Sequence, residues 1–296
     1  MGRYLWILLF AGLYSGTLLS VGAAHAHDGA LPLGDGNVSA QPKVGHVFSC
    51  PVNFRREGTI KPQPWIRGDL WYPAEKVTVD GEMLWPDSAI ALSLDGDRRL
   101  VTANGLPNHA TGRFPMDRGS LAYSYDRNPN GISPQRVMLT LPAKPVAAQT
   151  PSCLPMGMIG FALSGVAIYN ALDAAGLDAA AHEVQDKCNG HPQARGEYHY
   201  HNLTPCMTDF AGASGRHSDL LGYALDGFGI YGALGDGGRR LTNTDLDACH
   251  GHVGTVNWDG RQQTMYHYHF TDEYPYSLGC FAGTPVRMQR QPPPPR

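Results

Sequence analysis

The sequence predicts a mainly β domain with minor helix, in the α+β class, that is internally duplicated and stapled by disulfides. The first observation is a repeat, because IGFALSGVAIYNAL (159–172) and LGYALDGFGIYGAL (221–234) share eight of fourteen residues. The second is the motif Tyr-His-Tyr-His, found at 198–201 and again at 266–269. The third is an even set of six cysteines. Because these features recur in one order, we expect two units packed about a pseudo-two-fold axis.

The N-terminus has the three parts of a secretory signal peptide. Arg3 precedes an apolar run (4–21), and Ala24-His25-Ala26 supplies a small-x-small cleavage site. An uncleaved membrane anchor is the alternative, but the run is near the lower limit for a span. We therefore predict a signal peptide at 1–26 and a periplasmic or secreted protein, with no membrane span after cleavage.

The charge of the chain is mildly acidic. Its formal net charge is −3, and no block of basic residues is present. A basic patch is the electrostatic footprint of nucleic-acid binding, so we expect no nucleic acid among the partners. The expected partners are a metal ion and, as a further hypothesis, a small molecule.

Each unit, about 155–206 and 217–280, begins with an alternating strand pattern. Ser164-Gly165 and Asp226-Gly227 occupy two-residue turn positions, where glycine supplies the positive φ of a hairpin. In the first unit, one helical stripe follows the turn and its return strand. In the second unit GDGGRR stands there and indicates a loop. Each unit then closes on its Tyr-His-Tyr-His strand.

The remaining segments have weaker patterns. Residues 27–85 are rich in glycine and proline and are interpreted as an irregular N-terminal extension. The main domain is placed at 86–284, where a hairpin around Asp95-Gly96-Asp97 and a strand at 137–141 precede the units. The tail 285–296 ends in a proline run and is expected to be disordered.

The cysteines predict three disulfides, since thiols outside the cytoplasm usually pair. Six cysteines allow 15 connectivities. The repeat selects Cys188–Cys206 and Cys249–Cys280, each closing a loop that contains a histidine strand, and leaves Cys50 for Cys153. Thiolate ligation of a metal is the alternative, because Cys-x-x-His spacing occurs at both Cys188 and Cys249.

The histidines predict a metal site. Side chains alternate along a strand, so the two histidines of each motif share one face and the tyrosines take the other. We expect both strands to lie close together and to build one site shared by the two units. The candidate ligands, with the last two as outer candidates, are His191, His199, His201, His252, His267, His269, His109 and His217.

Several roles remain open for these residues. All-imidazole ligation suits a transition metal, with copper preferred over zinc, although paired histidines also occur as hydrogen-bonded core residues. The tyrosines fill a core face or serve a metal as redox relays, and we favour the core role. Asp186 and Asp247 recur at matched positions. They either orient a histidine or brace the turn beside a cysteine.

The sequence of these segments resembles that of the YHYH-domain proteins, an exported family named for the motif. The resemblance runs from about Asp87 to Gly283. It is carried by TANGLPNHATGRFP, CNGHP, GEYHYH, HSDLLGYALDGFGIYG and the second YHYH with its YPY and cysteine. It implies that residues 86–284 form a YHYH domain and that the histidines matter, and it implies no particular reaction.

Three functions therefore compete. The first is an exported metal-binding protein, with copper preferred. The second is a copper-dependent oxidoreductase. The third is a metal-free hydrolase or ligand-binding module that uses histidine as acid or base. The sequence lacks the Gly-x-Ser-x-Gly nucleophile elbow, which disfavours one common hydrolase mechanism.

Overall fold

The computed structural model describes residues 29–54, 61–207 and 215–287. The predicted signal peptide (1–26) lies outside these residues, as does most of the predicted tail (285–296). Within the described ranges, no helix is long and apolar enough to cross a membrane.

The described chain is mainly β with few helical residues, as predicted. Its strands are β1 (Leu31–Pro32), β2 (Val38–Ser39), β3 (Val47–Phe48), β4 (Ile66–Arg67), β5 (Leu70–Trp71), β6 (Ile90–Asp95), β7 (Arg98–Ala103), β8 (Val137–Pro142), β9 (Ala147–Ser152), β10 (Met158–Ala162), β11 (Ala167–Tyr169), β12 (Gly190–Pro192), β13 (Tyr198–Tyr200), β14 (Leu220–Ala224), β15 (Gly229–Tyr231), β16 (Gly251–Trp258), β17 (Arg261–His269) and β18 (Phe281–Gly283). The short helices are α1 (Leu121–Tyr125) and α2 (Ala179–His182), with 3-10 turns at Pro73–Glu75, Asp236–Gly238 and Asn243–Asp245.

An eight-stranded sheet forms the centre of the molecule, in the order β12-β13-β11-β10-β14-β15-β17-β16. Its middle pair is antiparallel and brings Phe161 opposite Tyr223. Gly160 and Gly222 flank this pair, and a Cβ on either would lie under 3 Å from a carbonyl oxygen of the neighbouring strand. The glycines therefore let the two central strands approach closely.

The histidine strands β13 and β17 do not lie side by side. Four strands separate them, and five steps of about 4.8 Å span about 24 Å along the sheet. Each histidine strand instead pairs in parallel with the return strand of its own unit, β11 or β15. The prediction of one site shared by both units is therefore wrong, because the two units meet through β10 and β14.

The two predicted turns have the expected backbone. Gly165 has φ of 90° and Gly227 has φ of 91°, in the left-handed region that glycine adopts without steric cost. Of the helical segment predicted after the first turn and its return strand, only α2 (Ala179–His182) is helical. Asp178 caps that helix by accepting from the Ala181 N–H, and Glu183 then turns the chain to an extended conformation.

The smaller elements surround this sheet. Strands β6, β7 and β8 form a separate antiparallel sheet, as the hairpin signal at 95–97 and the alternation at 137–141 predicted. The extension before residue 85 contains the two-residue strands β1 to β5. Trp65 and Trp71 of this extension are buried in the same core as the central sheet.

Three disulfides join Cys50 to Cys153, Cys188 to Cys206, and Cys249 to Cys280. These are the pairs that the repeat predicted, and they leave no free cysteine in the described chain, which contains all six. The second and third disulfides close loops of 18 and 31 residues that each contain a histidine strand. On the chain-entropy model each contributes about 3 to 4 kcal/mol of stability.

Candidate metal centres

The structure brings seven of the eight predicted histidine ligands into two separate clusters. Centre 1 consists of His191, His199 and His201, and centre 2 consists of His217, His252, His267 and His269. Within each cluster the ligand atoms lie within 4.8 Å of one another. His217, expected only as an outer ligand, is a full member of centre 2.

Strand register produces this convergence. His191 on β12 pairs directly with His199 on β13, and His252 on β16 pairs directly with His267 on β17. Directly opposed residues project to the same face of a sheet. The second histidine of each motif lies two residues further along, so it joins the same face. Each centre therefore needs an antiparallel pair of strands at a flank of the central sheet.

The four imidazoles of centre 2 point their Nε2 atoms at one another. The Nε2 of His267 lies 3.1 Å from that of His217 and 3.1 Å from that of His252, and the Nε2 atoms of His252 and His269 are also 3.1 Å apart. Nitrogens bound at about 2.0–2.1 Å to a tetrahedral ion lie about 3.3 Å apart. Three of the six nitrogen–nitrogen distances in centre 2 are therefore close to the edge length of a coordination tetrahedron.

Hydrogen bonds at the opposite ring nitrogens decide the tautomers. The Nδ1 atoms of His217, His267 and His269 lie 2.8, 3.1 and 2.6 Å from the carbonyl oxygens of Ser218, Met265 and Gly232. A carbonyl oxygen only accepts, so in the neutral rings Nδ1 carries the proton and Nε2 carries a lone pair. Lone pairs facing at 3.1 Å repel unless a cation or a proton lies between them.

Centre 1 repeats the arrangement with three histidines. The Nε2 atoms of His199 and His201 are 3.0 Å apart. Their Nδ1 atoms donate to the carbonyl oxygens of Glu197 and Asn170, at 3.1 and 2.6 Å. All three histidines of this centre are at most 3% exposed.

Glu183 lies against two of the three histidines of centre 1 and was missed by sequence reasoning. Its Oε2 lies 3.2 Å from His191 Nε2 and 3.1 Å from His201 Nε2. These contacts are short but not aligned as hydrogen bonds, so Oε2 and both ring nitrogens of His191 are buried without a hydrogen-bond partner among the described residues. Buried polar atoms are normally satisfied, so these unpartnered atoms mark a place where a cation could bind.

Electrostatics keep most of these imidazoles neutral, the form that binds metal. Burial lowers the pKa of His267 to about 3. Burial and the neighbouring histidines also lower the pKa values of His199 and His269 well below the ordinary value.

Glu183 reverses this trend at His191. Burial alone lowers the pKa of His191, but the Glu183 carboxylate outweighs it and raises the pKa. Burial conversely favours protonation of Glu183, yet His191 and His201 hold its pKa well below the usual range. Without a metal, the carboxylate therefore needs a proton on the facing imidazole, and a cation bound there would take the place of that proton.

The tyrosines of both motifs have structural roles, as favoured from the sequence. Tyr198 donates to Asp186 at 2.9 Å, and Tyr266 donates to Asp247 at 3.0 Å. Each aspartate also accepts the backbone N–H of the cysteine two residues later, at 2.9 Å in both segments. The aspartates therefore brace the cysteine turns and do not contact a metal-facing imidazole nitrogen.

His109 lies apart from both centres, on the tyrosine face of the sheet. Its Nε2 accepts from the Tyr200 hydroxyl at 2.5 Å, and its Nδ1 donates to the Ala110 carbonyl at 3.0 Å. The nearest candidate ligand atoms are the sulfurs of Cys188 and Cys206, which are joined in a disulfide. His109 therefore contributes to neither histidine centre.

A cleft of about 870 Å³ borders centre 1 through Glu183. Its wall includes Lys61, Asp126, Arg127, Asp173 and Glu183. The Glu183 side chain is 26% exposed while its Oε2 is buried against the histidines. Glu183 thus separates the centre from the cleft.

Comparison with known proteins gives one match. Residues 138–240 match the family model described as YHYH protein. The matched segment contains the first Tyr-His-Tyr-His strand and ends before the second. No curated protein and no solved structure matches the chain. Over residues 138–240, the resemblance to the YHYH family is confirmed.

Proposed function

We propose that this chain is an exported metal-binding protein with one histidine centre in each of two duplicated units. The observation that carries the proposal is centre 2, where four Nε2 atoms converge with spacings of 3.1 Å. Three of those imidazoles have their protons on the opposite nitrogen. A proton on His252 Nε2 can bridge to His267 or His269 but leaves the His217–His267 contact unsatisfied, whereas a transition-metal ion satisfies all four nitrogens.

The duplication and its pseudo-two-fold axis are supported by the register of the central strands. Phe161 and Tyr223 occupy matched positions of the repeat and pair with each other, and Gly160 pairs with Ala224 as Ala162 pairs with Gly222. An axis between β10 and β14 relates these pairs. It also relates β13 to β17, which places one centre at each flank of the sheet.

Copper is our first choice of metal and zinc the second. Imidazole nitrogen suits both ions, and affinity for nitrogen donors peaks at copper among the divalent first-row metals. The signal peptide proposed at 1–26 and the three disulfides support export, since disulfides persist in oxidising compartments. We therefore propose a role in handling or sensing copper outside the cytoplasm.

A copper-dependent oxidoreductase is the second candidate, and Glu183 favours it. Centre 2 has four protein nitrogens, which complete a tetrahedral set. Centre 1 has three nitrogens and a carboxylate that also lines the 870 Å³ cleft. Catalytic metal sites commonly combine three firm protein ligands with one exchangeable position. Glu183 would occupy that position and yield it to a substrate entering from the cleft.

Metal stoichiometry tests the two-centre proposal. Protein saturated with Cu²⁺ and freed of excess metal should hold two ions per chain by elemental analysis. H199A/H201A and H267A/H269A should each hold one, because each removes two donors from one centre only. H46A, which removes a half-buried histidine outside both centres, should keep two.

Circular dichroism must show that each double variant is folded. A folded double variant that loses both ions would mean that the centres depend on each other. A wild-type protein that takes up neither Cu²⁺ nor Zn²⁺ would refute metal binding.

Replacement of Glu183 tests its place in centre 1. In the H267A/H269A background, which leaves centre 1 alone, E183Q should weaken copper binding by about 10- to 100-fold, because the neutral amide is a poorer ligand. Competition against a chelator measures the change. E82Q is the matched control, since Glu82 pairs with Lys187 at the surface. Equal affinities for E183Q and E82Q would show that Glu183 is not a ligand of centre 1.

Acid should destabilise the metal-free protein through centre 2. The unfolded chain binds a proton at His267 near pH 6.5, whereas the folded chain does so only near pH 3. The stability that His267 contributes in its neutral form is therefore fully present above about pH 6.5. It is lost as the pH is lowered toward 3, and the free energy of unfolding falls by up to about 1.4 kcal/mol per pH unit for each such group. The free energy of unfolding, measured by urea denaturation across this window, should depend less steeply on pH in H267A/H269A than in H46A. The same pH dependence in both variants would contradict a buried, neutral His267.

A further inference from the structure

A third group of donor atoms lies on the tyrosine face, outside both histidine centres. One ring nitrogen of His109 and the sulfurs of Cys188 and Cys206 lie within 4.8 Å of one another. In the oxidised protein the two sulfurs are bonded to each other, so the group holds no thiolate. The group gains two ligands only when that disulfide is reduced.

The two loop-closing disulfides differ in access. Cys206 is half-buried, and its neighbours Thr204, Pro205 and Met207 line a cavity of about 630 Å³. Cys249 and Cys280 are 2% and 0% exposed. Thiol–disulfide exchange requires in-line access to a sulfur, so an external dithiol reaches Cys206 more readily than either cysteine of the other bridge.

The two disulfides also differ in their neighbours. In the described chain, no histidine forms a comparable group with Cys249 and Cys280. His109 therefore gives the first unit a feature that the second unit lacks, and the difference is not explained by the histidine centres.

We propose that reduction of Cys188–Cys206 creates a Cys₂His site for monovalent copper, with His109 as the third ligand. The electrons come from a dithiol reductant. Its two sulfurs become a disulfide while the Cys188–Cys206 bond breaks and two protein thiols form. Cu⁺ then binds both sulfurs and the imidazole, and the two thiol protons are released to solvent. Soft thiolates select Cu(I), and three donors suit its low coordination number.

The contacts of His109 show which ring nitrogen faces the sulfurs. Nδ1 of His109 and Sγ of Cys188 both contact the Ala110 carbonyl oxygen, at 3.0 and 3.3 Å, so Nδ1 is the nitrogen on the side of the sulfurs. Ligation requires the ring proton to move from Nδ1 to Nε2 and the metal to replace the Ala110 carbonyl as the partner of Nδ1. The Tyr200 oxygen, 2.5 Å from Nε2, then accepts that proton's hydrogen bond, and the Tyr200 hydroxyl donates to Ser164 at 3.1 Å. The Tyr200–Ser164 contact tolerates either direction of donation.

The site is tested on the full chain under anaerobic conditions. Graded dithiothreitol followed by alkylation and peptide mapping should label Cys188 and Cys206 before Cys249 and Cys280. After removal of the reductant, Cu⁺ is titrated in competition with a chromogenic Cu(I) chelator. The reduced protein should bind one Cu⁺ more than the oxidised protein and should develop thiolate-to-copper absorption.

Variants separate the ligands. H109A should be reduced like wild type but should bind the additional Cu⁺ at least tenfold more weakly, while H46A should match wild type. C188S/C206S should bind no additional Cu⁺. Wild-type protein alkylated at Cys188 and Cys206 provides the same test if that variant does not fold.

Three results would overturn the proposal: no additional Cu⁺ in the reduced wild type, unchanged affinity in H109A, or earlier reduction of Cys249–Cys280. The proposal is independent of the two histidine centres, because their test uses the oxidised protein.

Discussion

The constraint on which this structure depends is the convergence of imidazole nitrogens that face each other across about 3 Å. In centre 2 the backbone carbonyls of Ser218, Met265 and Gly232 accept hydrogen bonds from Nδ1–H groups. The Nε2 lone pairs of those three rings therefore point inward. In centre 1 a carboxylate joins the inward-facing atoms. Without a cation both clusters store repulsion, or in centre 1 depend on a shared proton. The surrounding fold therefore has to hold these side chains against their preference to separate.

Because tyrosine and histidine alternate along each motif strand, one face of the strand makes structural contacts and the other face forms the histidine centre. On the tyrosine side, the buried Tyr198 and the half-buried Tyr266 donate to the aspartates that brace the cysteine turns. Those turns lead directly into β12 and β16, the strands that carry His191 and His252. The disulfide beside each turn closes the same loop. One face thus fixes the register of the strands, and the register brings the imidazoles on the other face together.

Local patterns in the sequence are sufficient to predict the mainly β class, the turns at Gly165 and Gly227, the cysteine pairs and the histidines that converge. They are not sufficient to predict the number of centres. Alternation reveals which residues share a face, but it carries no information on which strand lies beside which. The parallel pairing of β13 with β11 and of β17 with β15 placed the centres at opposite flanks. Glu183 was missed because the second unit has no matching acid, and His109 was misassigned because its partners come from the tyrosine face.

The most direct test of the central claim is an anomalous difference map at the copper absorption edge, from crystals of the oxidised, copper-loaded protein. The account predicts two strong peaks per chain. One should lie between the Nε2 atoms of His217, His252, His267 and His269, and the other between those of His191, His199 and His201 and the Glu183 carboxylate. Peaks confined to surface histidines such as His46, or one peak midway between the units at β10 and β14, would contradict it.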